Sequence, residues 1–106
     1  MAHVLLVDDD PLQLDLRRLI LERAGHTVQT AETAQEAIER SVGCDVAVMD
    51  LIPRHSELSA ALPAETRVIV LSGRHPQPGL RADLILMKPC PSKQLLAAID
   101  SHGLPR

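Results

Sequence analysis

The 106-residue chain contains no phenylalanine, tyrosine or tryptophan. Its core must therefore be built from Leu, Val, Ile, Ala and Met. The side chains that stack on bases or sugars are missing, which argues against single-stranded nucleic-acid binding. Cysteine is scarce as well: Cys44 and Cys90 stand far apart and match neither a redox pair nor a metal knuckle, so both read as reduced thiols with a structural role. Basic charge is nowhere concentrated. The formal net charge is −3, with Lys and Arg scattered, which gives no electrostatic footprint for DNA, RNA or an anionic membrane. The apolar run nearest the start, Val4-Leu5-Leu6-Val7, is too short for a signal peptide or a membrane span, so a cytoplasmic location is the expectation. The histidines, His3, His26, His55, His75 and His102, lack metal-ligand spacing and read as exposed or loop residues.

What the chain does have is room for one core and one domain, residues 1–106, and an alternation of short apolar runs with helical patterns. The run at 4–7 ends in Asp8-Asp9-Asp10, as a buried parallel strand opening into a loop would. Asp10 and Pro11 then suit the cap and first position of a helix with Leu12, Leu16, Leu19 and Ile20 at helical spacing and Gly25 as its stop. In that reading Arg17, Arg18 and Arg23 form the solvated face. A short strand over 27–30 precedes Thr33 and Glu36, which have the spacing of a capping box for a helix carrying Ala37, Ile38 and Ser41. Val46-Ala47-Val48-Met49 ends in Asp50, and Ser56 is the expected cap of a two-turn helix through Leu62. A fourth run, 68–71, is closed by Ser72-Gly73; Pro76, Pro78 and Gly79 reduce any helix over 74–81 to a turn or so. A fifth run, 84–87, ends in Lys88-Pro89, and a final helix over 92–101 buries Leu95, Leu96 and Ile99 before Gly103. Met49 and Met87 read as core residues.

Five such strands joined by helices predict an α/β, flavodoxin-like, doubly wound five-stranded parallel sheet with helices on both faces, the third and fourth helices shortened. In such sheets the ligand site lies outside the carboxyl ends of the strands. The residues there are Asp8, Asp9, Asp50, Ser72 and Lys88. Converging carboxylates repel one another and call for a cation. Magnesium, a hard ion held by one or two carboxylates plus phosphate oxygens, fits Asp9 and Asp50 with Asp8 helping through water. Lys88 can then grip a phosphoryl oxygen, Ser72 can donate to another, and Asp50 becomes the candidate nucleophile on phosphorus.

The segments Val4-Leu5-Leu6-Val7-Asp8-Asp9-Asp10-Pro11, Val46-Ala47-Val48-Met49-Asp50-Leu51, Val68-Ile69-Val70-Leu71-Ser72-Gly73 and Leu86-Met87-Lys88-Pro89 together resemble, in order, the motifs of response-regulator receiver domains of two-component signalling systems. The resemblance covers the whole chain. It implies an acidic pair Asp8 and Asp9, phosphoacceptor Asp50, switch hydroxyl Ser72, phosphate-contacting Lys88 with a cis bond before Pro89, and a backbone carbonyl metal ligand at Ile52. It further implies a cytoplasmic phosphoprotein that binds Mg2+ and meets a sensor histidine kinase or a histidine phosphotransfer protein on one side and an output protein or domain on the other. Such a domain is no separate enzyme, although it can catalyse its own phosphorylation from small donors and its own dephosphorylation. Dimerisation is left open.

Several positions depart from the family. Pro53 stands three residues after Asp50 rather than four and no glycine follows, so the metal-facing loop is expected to be remodelled. The aromatic residue that many receivers carry on the fifth strand is Ile85 here, so aromatic coupling to the hydroxyl cannot operate. With its fourth helix clipped, the chain also suits a docking module that works without phosphorylation. A third reading takes Asp8-Asp9-Asp10 as the Asp-x-Asp of a haloacid-dehalogenase-like phosphatase. That family needs more chain and a further acidic pair, and it gives Asp50 no place.

Overall fold

A computed structural model describes residues 2–73 and 80–102. In chain order the elements are β1 (His3–Val7), α1 (Pro11–Arg23), β2 (Thr27–Ala31), α2 (Ala34–Arg40), β3 (Val46–Asp50), α3 (His55–Ala61), β4 (Arg67–Ser72), β5 (Leu84–Met87) and α4 (Ser92–His102). The strands form one sheet in the order β2-β1-β3-β4-β5, every pairing parallel. β1, β3 and β4 lie inside the sheet and are buried on both faces, which is why their sequences are continuous apolar runs rather than alternating ones. Strand residues alternate between two cores. Val4, Leu6, Val48, Ile69, Leu71 and Leu86 pack against α1 and α4; Leu5, Val7, Ala47, Met49, Val68 and Val70 pack against α2 and α3. The expected doubly wound parallel sheet with helices on both faces is what the chain forms.

Local rules account for most of the ends. Asp10 caps α1 through a 3.0 Å bond from the Leu12 amide, and Gly25 takes a left-handed φ of 97° beyond its last turn. Thr33 caps α2 by accepting from the Glu36 amide at 3.2 Å, but Glu36 reaches back to the Glu32 amide rather than to that of Thr33.

The structure corrects the sequence reading in several places. Ser41 is the residue that ends α2, and Ile38 is on its exposed side. α3 is short, as expected, but starts at His55; Ser56 lies inside its first turn, and Arg54 precedes it in the left-handed region at φ 66°. Such a conformation costs a non-glycine residue roughly 1–2 kcal/mol, and it falls where the loop after Asp50 lacks the family's glycine. The largest change concerns α1. Leu14 and Leu21 are its buried residues, while Leu12, Leu16 and Leu19 are 65%, 49% and 50% exposed. Met87 is exposed on the edge strand β5, and His26 is buried, its Nδ1 accepting from the Ala2 amide at 3.0 Å. Of the segment expected to hold a vestigial fourth helix, 74–79 and likewise Gly103 lie outside the described residues; 80 and 81 are not helical.

Candidate functional site

The parallel register sets the carboxyl ends of β1, β3, β4 and β5 side by side, with Val7 opposite Met49, Asp50 opposite Leu71 and Ser72 opposite Met87. Asp8 and Asp9 follow β1, Asp50 ends β3, Ser72 ends β4 and Lys88 follows β5. Asp8, Asp9, Asp50 and Lys88 open on one crevice of about 830 Å³ between α1 and the start of α4, whose walls also include Gln13, Arg17, Cys90 and Leu95. The peptide between Lys88 and Pro89 is cis.

Within the crevice two of the carboxylates, Asp8 and Asp50, are paired. Lys88 Nζ contacts Asp50 Oδ2 at 2.5 Å, and the Leu51 amide donates to Asp50 Oδ1 at 2.8 Å. The Lys88 amide donates to the Ser72 carbonyl at 2.8 Å, so the strand ends that carry the hydroxyl and the ammonium are tied together. Ser72 itself is fully buried. Asp8 is only 2% exposed. Burial pushes its carboxyl above the ordinary carboxylate range, and the nearby Asp50 charge adds to this; the Asp10 amide and the Arg17 guanidinium pull the other way. Burial likewise raises the Cys90 thiol, which makes it a poor nucleophile and supports a structural role.

Two features depart from what the sequence implied. Arg17 is not on a solvated face: its Nη1 lies 2.8 Å from Asp8 Oδ2 inside the crevice. The signal was present, since Arg17 sits three residues after Leu14 and four before Leu21, on the stripe that turns inward. The second is Ile52. Its carbonyl accepts from the His55 amide at 3.1 Å and lies 2.9 Å from His55 Nδ1, so a second partner is at hand when that nitrogen carries its proton.

A divalent cation is still chemically matched to this edge. Asp8, Asp9 and Asp50 supply hard oxygen donors, and the mutual repulsion of Asp8 and Asp50 marks a place short of positive charge. Among the described residues, however, no three His, Cys, Asp or Glu side chains stand ready as a metal-holding group. Asp8 is turned to Arg17 and Asp50 to Lys88.

No protein-family model and no curated protein matches the chain. Solved structures do. The CheY-like response regulator receiver domain protein of Methanospirillum hungatei is 29% identical, with a TM-score of 0.84 over 95% of this chain and 92% of that one. The chemotaxis protein CheY4 of Vibrio cholerae is 25% identical, with a TM-score of 0.84 over 96% of this chain and 98% of that one. A response regulator of Burkholderia pseudomallei, solved with a phosphorylated aspartic acid, a calcium ion and citrate, is 24% identical, with a TM-score of 0.76 over 92% of this chain and 66% of that one. Strand order and extent agree: this chain has the flavodoxin-like fold of the response-regulator receiver domains.

Proposed function

We propose that residues 1–106 form one phosphorylatable signalling domain in which Asp50 accepts a phosphoryl group, and that the charge it gains shifts the surface offered to an output partner. The observation that carries this reading is the ion pair of Asp50 with Lys88 at the carboxyl edge of the sheet, beside the Asp8 and Asp9 carboxylates. Structural kinship with receiver domains supports a phosphorylatable switch in general terms, and a signalling domain rather than a conventional enzyme.

In finer detail, the donor is a phosphohistidine on a sensor histidine kinase or a histidine phosphotransfer protein. An Asp50 carboxylate oxygen attacks phosphorus in line, the P–N bond breaks, and the imidazole leaves with the electron pair and takes up a proton; an acyl phosphate remains on Asp50. Lys88 passes from the Asp50 carboxylate to a phosphoryl oxygen, keeping a charge-assisted contact throughout. Ser72, at the end of the adjacent strand, donates its hydroxyl to another phosphoryl oxygen, and its tie to Lys88 carries that movement into β5. Mg2+ is the cofactor this donor set suits, held by Asp9 and Asp50 with Asp8 through water, and it would supply neutralisation of the incoming anion. Ile52 is left out of that set, because its carbonyl is engaged by His55. The Burkholderia pseudomallei neighbour was solved with a phosphorylated aspartic acid and a calcium ion, which accords with such chemistry on this fold. No helix among the described residues is long and apolar enough to cross a membrane, and we place the domain in the cytoplasm, where the donor proteins act.

Borohydride reduction of the phosphorylated chain tests the assignment. An acyl phosphate on Asp50 is reduced at its carbonyl to homoserine, so the modified residue is expected in the peptide holding Met49 and Leu51. Recovery of the modification at any other aspartate would remove Asp50 from the proposal.

A further inference from the structure

The acidic crevice contains a cation that the phosphorylation reading does not use. We propose that Arg17 is a resident counter-cation of the site: it holds Asp8 when no metal is bound and competes with the divalent ion for that carboxylate. The chain should then bind the metal more weakly than its acidic pair alone would.

The geometry is unlike that of a surface pair. Arg17 Nη1 lies 2.8 Å from Asp8 Oδ2, and the two side chains are only 19% and 3% exposed. Its neighbour Arg18 gives the contrast, meeting Asp15 and Glu22 at 3.6 and 3.4 Å with its side chain 40% exposed, an ordinary solvated arrangement. The other Asp8 oxygen accepts from the Asp10 amide at 3.0 Å, so both oxygens of this carboxylate are taken. Arg17 is also anchored. It rises from α1 between the buried Leu14 and Leu21, which fixes the helix face and keeps the guanidinium at the crevice wall. A guanidinium does not lose its proton in a protein, so it cannot yield by deprotonating and must be displaced as a charge.

Charge matching points the same way. The Asp8, Asp9, Asp10 and Asp50 carboxylates with the Lys88 ammonium leave a charge of −3 at the crevice. Arg17 lowers it to −2, so part of the demand for positive charge is met from within the chain. Asp9, exposed and without an ion pair among the described residues, is then the ligand first offered to an arriving ion, and Asp8 joins only as Arg17 swings away. Arg17 is thus a positioning residue acting through Asp8. This inference rests on the phosphorylation-site reading, because it concerns the metal of that site.

The test is a magnesium titration of the 15N-labelled full chain, following the backbone amides of Asp9 and Leu51 and, in the unaltered protein, the Arg17 side-chain Nε–H. R17Q is expected to bind Mg2+ at least about tenfold tighter, that being the effect of losing one charge-assisted competitor. R17K, which keeps the charge but loses the planar fork, is expected in between. In the unaltered chain the Arg17 signal is expected to move in step with the amides as Asp8 is released. Equal or weaker binding by R17Q overturns the proposal, weaker binding meaning that Arg17 instead holds Asp8 ready for the metal. If R17Q does not fold, the unaltered chain decides alone: an Arg17 signal that stays put while the amides saturate overturns it. Should Mg2+ leave the Asp9 and Leu51 amides unmoved in every variant, the metal site of the phosphorylation reading fails as well; shifts of equal affinity in all three defeat the Arg17 inference only.

Discussion

Arg81 is the residue whose removal should do most damage outside the crevice. Its Nη1 donates to the carbonyls of Ser59 and Leu62 at 3.2 and 2.9 Å, and its Nη2 to those of Pro63, Ala64 and Thr66 at 2.8, 3.3 and 2.8 Å. Two terminal nitrogens carry four hydrogens, so the long contact to Ala64 shares one with a neighbour and four carbonyls are satisfied outright. These groups include the unpaired carbonyls at the carboxyl end of α3, where a positive charge is also favoured by the helix dipole. Hydrogen bonds to a charged group contribute roughly 1.5–3 kcal/mol each, and four of them would exceed what a domain of this size can lose. The carbonyls of Pro63 and Ala64 can recover water. Those of Ser59, Leu62 and Thr66 belong to buried residues and recover least, so at about 1 kcal/mol each the loss should come to about 3 kcal/mol. R81M, which keeps much of the apolar stem, isolates that loss. Urea unfolding followed by circular dichroism is the assay, since the chain has no aromatic residue to report by fluorescence. With a slope of about 1.5 kcal/mol/M the midpoint should fall by about 2 M at unchanged slope. A loss within about 0.5 kcal/mol, the range of an ordinary surface substitution, would refute this account of α3.

The carboxyl of Asp8 makes a prediction with a pH sign. Its folded-state value is raised, chiefly by burial, so the folded chain holds this proton more tightly than the unfolded one. Ionising it therefore costs stability; that cost is absent below the unfolded-state value and complete above the raised folded one. D8N, neutral throughout, keeps acceptance from Arg17 through its amide oxygen but gives up the bond from the Asp10 amide; with the larger burial cost of the charge removed, it is expected to be more stable than the unaltered chain at neutral pH, with the gap closing as the pH falls through the Asp8 range. Urea titrations across that range check it, and D8N less stable at neutral pH would contradict it. For α1, Leu21→Ala should cost about 2–5 kcal/mol, whereas Leu12→Ala should stay within about 0.5 kcal/mol; the reverse ranking in unfolding experiments would mean that the helix faces the other way.

How far the sequence could be read follows from what each element is made of. The inner strands were legible because burial on both faces leaves continuous apolar runs, and the polar residue ending each run marked the carboxyl edge of the sheet. α1 was legible as a helix but not in its orientation, since it carries two leucine stripes, Leu12-Leu16-Leu19 and Leu14-Leu21. Choosing the first sent Arg17 to solvent. The inward stripe carries a charge at its centre, and a charge there needs a partner, which Asp8 provides. Other features depend on contacts that no local pattern encodes. His26 is buried because Ala2 and Asp100, remote in sequence, meet its two ring nitrogens, and Arg81 finds its carbonyl partners 15 to 22 residues earlier in the chain. The Ile52 carbonyl, a metal ligand only by family resemblance, lies against His55 in the loop that holds left-handed Arg54.

The central claim is that Asp50 accepts a phosphoryl group. Intact mass of the unaltered chain and of D50N, each incubated with acetyl phosphate or phosphoramidate in the presence and absence of Mg2+, tests it most directly. A Mg2+-dependent gain of one phosphoryl group in the unaltered chain, lost in D50N, is the predicted result. The same gain in both proteins, or none in either, would contradict the account.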